Sequence, residues 1–178
     1  MLTLILGGAR SGKSRLAQRL AAPAGRVVYI ATAQRNQDPE MGARIERHCA
    51  NRPDSWQTIE EPLALTDALE RAANEADAIL IDCLTIWLSN LFWHRRDDPP
   101  SDMEACIREE LEKMAAAARR LHVILVSNEL GSGTVPESAL TRAFRDTQGF
   151  LNQWAAELAD QVILTVAGLP LYLKTRAS

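Results

Sequence analysis

The sequence predicts an α/β fold, a mostly parallel sheet with helices on both faces, and three observations carry that expectation. Apolar runs of five or six residues, rich in Val, Ile and Leu, recur along the chain without polar alternation, as strands buried on both sides require. Between them lie segments with apolar residues spaced three and four apart, the pattern of helices that connect parallel strands. The first apolar run leads straight into Gly7-Gly8-Ala9-Arg10-Ser11-Gly12-Lys13-Ser14, a match to G-x-x-x-x-G-K-[ST] between a strand and a helix.

Leu2 to Leu6 is the first strand, and the motif after it reads as a P-loop, which makes the expected fold P-loop NTPase-like. Phosphates are wrapped there by backbone N–H groups that side chains would obstruct, so Gly7, Gly8 and Gly12 keep the loop open. A helix over 14–20 points its positive end at the same anion. Lys13 reaches the β- and γ-phosphates as a mobile charge, and the Ser14 hydroxyl takes a Mg²⁺ coordination position. A glycine-rich turn that binds nothing is the alternative, disfavoured by the full match in strand-loop-helix context.

Pro23-Ala24-Gly25 makes a turn, and Arg26 to Ala31 reads as a buried strand ending at Thr32-Ala33-Gln34. Asp38-Pro39-Glu40 combines a cap residue, a first-turn proline and a first-turn acid, so a helix is expected over 38–50. Pro53 stops it. Trp56 to Glu60 is extended and of uncertain type, Leu63 to Asn74 an amphipathic helix, and Ala78 to Asp82 the third strand. An apolar helix follows over 83–94. Ser101 and Glu104 have the spacing of a capping box before a helix carrying Met103, Ile107, Leu111, Met114, Ala118 and Leu121. His122 to Ser127 is a fourth strand, 128–136 a glycine-containing loop, and 137–159 a long helix. Gln161 to Val166 is a fifth strand, and Leu171 to Lys174 a candidate sixth.

A length of 178 residues suits one domain, 1–178, with a substantial core. A formal net charge of −3, without a long Lys/Arg cluster, leaves no electrostatic footprint for nucleic acid. Cys49, Cys83 and Cys106 are odd in number and lack C-x-x-C spacing, which argues against a disulfide framework and a zinc site and fits a reducing cytosol. The chain enters strand and P-loop at once, so no signal peptide is expected, and no apolar stretch has the length of a membrane span. A soluble, cytoplasmic protein is expected.

In open parallel sheets ligands gather at the carboxyl ends of the strands. That places Asp82, in Walker-B form after Ala-Ile-Leu-Ile, where a carboxylate orders Mg²⁺ directly or through water; capping the next helix is the alternative. Asn128 and Glu129 end the fourth strand, and spacing does not decide their role. On the helix expected over 38–50, Met41, Ile45 and His48 share one side, with Arg44 and Arg47 beside them; on physics alone such a histidine is more often a packing residue than a nucleophile.

Taken together, residues 7–14, Tyr-Ile-Ala-Thr-Ala at 29–33, Ala-Arg-Ile-Glu-Arg-His at 43–48 before Arg52-Pro53, and Val-Ser-Asn-Glu-Leu-Gly at 126–131 resemble the bifunctional adenosylcobinamide kinase/adenosylcobinamide-phosphate guanylyltransferase family of cobalamin biosynthesis. Phe144-Arg145-Asp146 and Asn152-Gln153 extend the resemblance over nearly the whole chain. Some members carry a histidine pair where this chain has Arg47-His48, which leaves His48 as the one candidate there. The resemblance implies transfer of a γ-phosphate from ATP or GTP to adenosylcobinamide, then attack of His48 on the α-phosphorus of GTP and passage of GMP to the cobinamide phosphate. It implies a homotrimer. Nucleotide contacts are expected from Gly7, Gly8, Ala9, Arg10, Ser11, Gly12, Lys13 and Ser14, from Ala31, Thr32 and Ala33, and from Cys49, Ala50, Asn51, Arg52, Glu60 and Asp82, with Glu60 alternatively a solvated loop acid. Two other readings share the P-loop and Asp82: a small-molecule kinase of another pathway without covalent catalysis, and a non-catalytic nucleotide-dependent switch.

Overall fold

The computed structural model describes residues 1–33 and 52–175. The order of elements is β1 (Leu2–Gly7), α1 (Lys13–Ala21), β2 (Val27–Ala31), β3 (Gln57–Glu60), α2 (Leu65–Ala73), β4 (Ala78–Asp82), α3 (Leu84–His94), α4 (Pro100–Ala117), β5 (His122–Asn128), α5 (Ala139–Leu158), β6 (Gln161–Val166) and β7 (Leu169–Lys174). The strands form one sheet of seven in the order β3-β2-β4-β5-β1-β6-β7, parallel except for β7, which pairs antiparallel with β6.

The continuous apolar runs become strands covered on both faces, because successive side chains point to opposite sides of a sheet. Ile5, Tyr29, Leu80, Val126 and Ile163 pack on one face against Leu16, Ala17 and Ala21 of α1. Leu4, Ile30, Ile81, Leu125 and Val162 pack on the other, with Leu69, Trp87, Ile107, Met114 and Leu151 from α2 to α5. The α1 face carries the P-loop. Because β5 lies between β1 and β4, its carboxyl end stands between that loop and Asp82.

Two element expectations change. The segment of uncertain type is an edge strand, β3, paired parallel with β2. No capping box opens α4, whose first residue is Pro100 after Pro99 at the N-cap, with no side-chain cap. A proline at the first position presets φ and loses no helical hydrogen bond, so Ser101 lies inside the helix, and its hydroxyl bonds Asp102 at 3.2 Å. The helix expected over 38–50 lies outside the described residues.

Candidate active site

The P-loop is shaped by close approaches that forbid side chains. A Cβ on Gly7 would stand 2.4 Å from Ser11 Oγ and 2.7 Å from the Thr165 carbonyl, so nothing larger fits. Gly12 caps α1 at φ 95, a left-handed conformation that glycine adopts without the usual Cβ clash. The Ser11 N–H closes the loop onto the Gly8 carbonyl at 3.3 Å. Lys13 Nζ donates to the same carbonyl at 3.2 Å, which folds the ammonium back over the loop. Ala9 and Arg10 form its exposed rim, and Ser14 follows Lys13 in the first turn of α1. The β6–β7 turn braces this loop, with the Gly168 N–H donating to the Ser11 carbonyl at 2.8 Å.

Three of the expected residues fall in one lateral row at the strand ends: Glu60 pairs with Ala31, and Ala31 with Asp82. Asp82 does not cap α3, because Cys83 holds the N-cap position and no side chain bonds the first turn. Instead Asp82 Oδ2 accepts from the Tyr29 hydroxyl at 3.0 Å. Burial, reinforced by the Asp82 charge, pushes the Tyr29 phenol well above its ordinary pKa, so it stays protonated and donates. The Arg52 guanidinium lies 3.4 Å from the centroid of the Tyr29 ring and donates to Thr58 Oγ1 at 3.3 Å. Its Nε is buried without a partner among the described residues, which leaves one donor unspent there.

Thr32 underlies the row. Fully buried, it donates its hydroxyl to the Cys83 carbonyl at 2.8 Å and accepts from the Cys83 N–H at 2.9 Å, which ties β2 to β4. Asn90 Nδ2 donates to the Thr32 carbonyl at 2.9 Å. Burial pushes the Cys83 thiol up to about 11, so it is protonated at neutral pH and no nucleophile. Ala33 is half-buried beyond Thr32, and Glu60 is exposed. His48, Cys49, Ala50 and Asn51 lie outside the described residues.

Sequence reasoning missed Tyr29 and Asn90 as supports of this site, and Thr85, whose Oγ1 accepts from the Asn128 N–H at 2.8 Å. One signal was available for Tyr29, since a tyrosine in a strand buried on both sides needs a partner for its hydroxyl. Thr85 and Asn90 sit in an apolar helix and carry no motif.

Ser14 and Asp82 offer a hydroxyl and a carboxylate, and Asp82 Oδ1 has no hydrogen bond to any described residue. Among the described residues no group of three His, Cys, Asp or Glu forms a metal cage. That donor set fits Mg²⁺, which takes one or two protein oxygens and completes its shell with phosphate and water.

Comparison with known proteins agrees with this geometry. Residues 3–173 match the family described as CobU, cobinamide kinase / cobinamide phosphate guanyltransferase. The chain is 50% identical over 175 residues to the bifunctional adenosylcobalamin biosynthesis protein CobP of Pseudomonas aeruginosa, covering 98% of each. It is 41% identical over 182 residues to the Escherichia coli protein CobU of the same description, covering 98% of this chain and all of that one. Among solved structures, an ATPase of a bacterial type III secretion system superposes with a TM-score of 0.61 at 15% identity, over 96% of this chain and 56% of that one; it shares the fold. The chain belongs to the cobinamide kinase / cobinamide phosphate guanyltransferase family.

Proposed function

We propose that this chain, acting as one unit in the cytoplasm, phosphorylates adenosylcobinamide with ATP or GTP and then transfers GMP from GTP to the product through a guanylyl group on His48. The supporting observation for the first step is the P-loop with Lys13 folded over it and Asp82 held by Tyr29 on the same face of the sheet. Lys13 and the N–H groups that open α1 compensate the β- and γ-phosphate charge. The acceptor hydroxyl oxygen bonds to the γ-phosphorus as the bond to the β-phosphate breaks, and its proton leaves to solvent. Ser14 and Asp82 would hold Mg²⁺, which neutralises phosphate charge when bound.

Family membership and the residues 43–48 support the second step. A neutral imidazole nitrogen of His48 attacks the α-phosphorus of GTP and pyrophosphate leaves; a phosphate oxygen of the cobinamide phosphate then displaces the imidazole and carries GMP away. Arg52, with its unspent Nε beside the row of strand ends, is placed in this reading on the phosphates of that nucleotide. Purified protein given adenosylcobinamide, ATP, GTP and Mg²⁺ should yield cobinamide phosphate and then the GDP conjugate with pyrophosphate. Nucleotide hydrolysis without transfer to the corrinoid would overturn the reading.

A further inference from the structure

Asn128 is held by its backbone more firmly than a loop residue needs. It ends β5 in register with Gly7 of β1, and the next residue, Glu129, donates its N–H to the Gly7 carbonyl at 3.2 Å. Its own N–H donates to Thr85 Oγ1 of α3 at 2.8 Å, and its carbonyl accepts from Asn152 Nδ2 of α5 at 3.0 Å. Three elements therefore fix one residue.

The support behind it is a buried side-chain network. Ser127 Oγ donates to Asn152 Oδ1 at 2.7 Å, and Gln148 Nε2 donates to both that oxygen and Ser127 Oγ at 3.0 Å. Ser127 is fully buried and Gln148 is 1% exposed. Burying hydroxyls and amides is costly unless they are paired, and Gln148 Oε1 is buried without a partner among the described residues, so the trio is not explained by stability alone. Its outward result is that Asn152 is held rigid, with Nδ2 left to anchor Asn128.

The side chain of Asn128 is the part left unspent. Side chains alternate along a strand, so with Ser127 turned to α5 on the many-helix face, Asn128 lies on the α1 face, two residues after Val126, which packs there. That is the face where Lys13 and Ser14 open α1 and where Asp82 meets Tyr29. Oδ1 of Asn128 is buried without a partner, and the hydrogen bonds that tie Asn128 to Thr85 and Asn152 run through its backbone, not its side chain.

We propose that Asn128 is a catalytic residue of the phosphoryl-transfer step, its Nδ2–H donating to an equatorial oxygen of the γ-phosphoryl group, and that Asn152 is its positioning residue. The inference rests on the kinase reading above. As the acceptor oxygen bonds to phosphorus and the bond to the β-phosphate breaks, charge is spread over the equatorial oxygens, and a neutral donor fixed at three points stabilises it without reorganising.

The test compares Asn128→Ala, Asn128→Asp and Asn152→Ala in the full chain, measuring kcat for corrinoid phosphorylation and the Kd of a non-hydrolysable ATP analogue. Asn128→Ala should lower kcat by about 10²-fold to 10³-fold while Kd stays within about threefold, as loss of a donor used mainly in the transition state requires. Asn128→Asp keeps the size of the side chain and should lose at least as much, because a carboxylate repels phosphate. Asn152→Ala should lose less, and should add little in combination with Asn128→Ala, since both act on one interaction. Parental kcat in Asn128→Ala, or in an Asn128→Asp chain that still binds the analogue, overturns the inference, as does a loss that falls entirely on Kd. Absence of kinase turnover in the parent chain would instead remove the reading on which it rests.

Discussion

Lys13 and Asp82 stand on the same face of the sheet, and the proposed function gives them different work that substitutions separate. Lys13→Ala removes a mobile charge from the loop surface and no core packing, so stability should stay within about 0.5 kcal/mol while phosphorylation falls at least about 10²-fold. A melting curve and a turnover assay on one preparation check this, and retained turnover would count against a nucleotide at residues 7–14. Asp82→Asn keeps an acceptor for the Tyr29 hydroxyl, which donates at 3.0 Å in the parent, and so preserves the local structure. It should raise the Mg²⁺ concentration needed for nucleotide use by about 10-fold to 100-fold, and high Mg²⁺ should partly restore activity. Equal activity of variant and parent at limiting Mg²⁺ would take Asp82 out of the metal site. The positions of Lys13 and Ser14 at the start of α1, and of Asp82 at the end of β4, were legible because local spelling encodes strand, loop and helix. Tyr29, Thr85, Asn128 and Asn152 were not legible as a set, because each acts across 24 residues or more of chain, as in Tyr29 to Asp82, Thr85 to Asn128 and Asn128 to Asn152.

At the scale of elements, the β6–β7 hairpin does more than end the sheet. Its turn holds Ala167 at φ 51 and Gly168 at φ 80, and the Gly168 N–H donates to the Ser11 carbonyl at 2.8 Å, so a distant hairpin braces the P-loop. An added Cβ at Gly168 would meet only the flexible end of Arg15, at 3.2 Å, so the cost of Gly168→Ala is backbone strain of about 1–2 kcal/mol. That should lower Tm by about 2–8 °C and weaken nucleotide binding with it. Gly8→Ala, where a Cβ would meet nothing within 4 Å, is the control and should leave Tm unchanged. Equal Tm in both variants would refute the strain at Gly168, and nucleotide binding unchanged in a destabilised Gly168→Ala chain would show that the hairpin does not brace the loop. The hairpin was half legible: β6 has an apolar strand pattern, whereas β7, exposed along its whole length, has no core pattern to read. The start of α4 was misread for a related reason, since Ser101 and Glu104 spell a cap wherever they fall and only the backbone shows Pro100 at the first position.

For the whole molecule, the exposed strand β7 bears on assembly. Leu169, Leu171, Tyr172 and Leu173 are 71%, 57%, 50% and 56% exposed, an apolar edge of the kind that marks contact with another chain. If the protein is the trimer its family resemblance implies, this edge is the natural contact, and Leu171→Asp with Leu173→Asp should convert a threefold mass in sedimentation to that of one chain. A parent of single-chain mass, or an unchanged variant, would contradict that. No helix among the described residues is long and apolar enough to cross a membrane. The parallel strands of the sheet centre were legible, because continuous apolar runs and the P-loop are local signals. The guanylyl-transfer residues rest on resemblance, and His48 carries the central claim. The most direct measurement incubates parent and His48→Asn chains with GTP labelled at the α-phosphorus, maps the labelled peptide, and assays corrinoid phosphorylation on the same samples. The account predicts label on His48 in the parent, no adduct and no guanylyl transfer in the variant, and kinase turnover in both. Label on another residue, an adduct that survives in the variant, or loss of both activities together would contradict it.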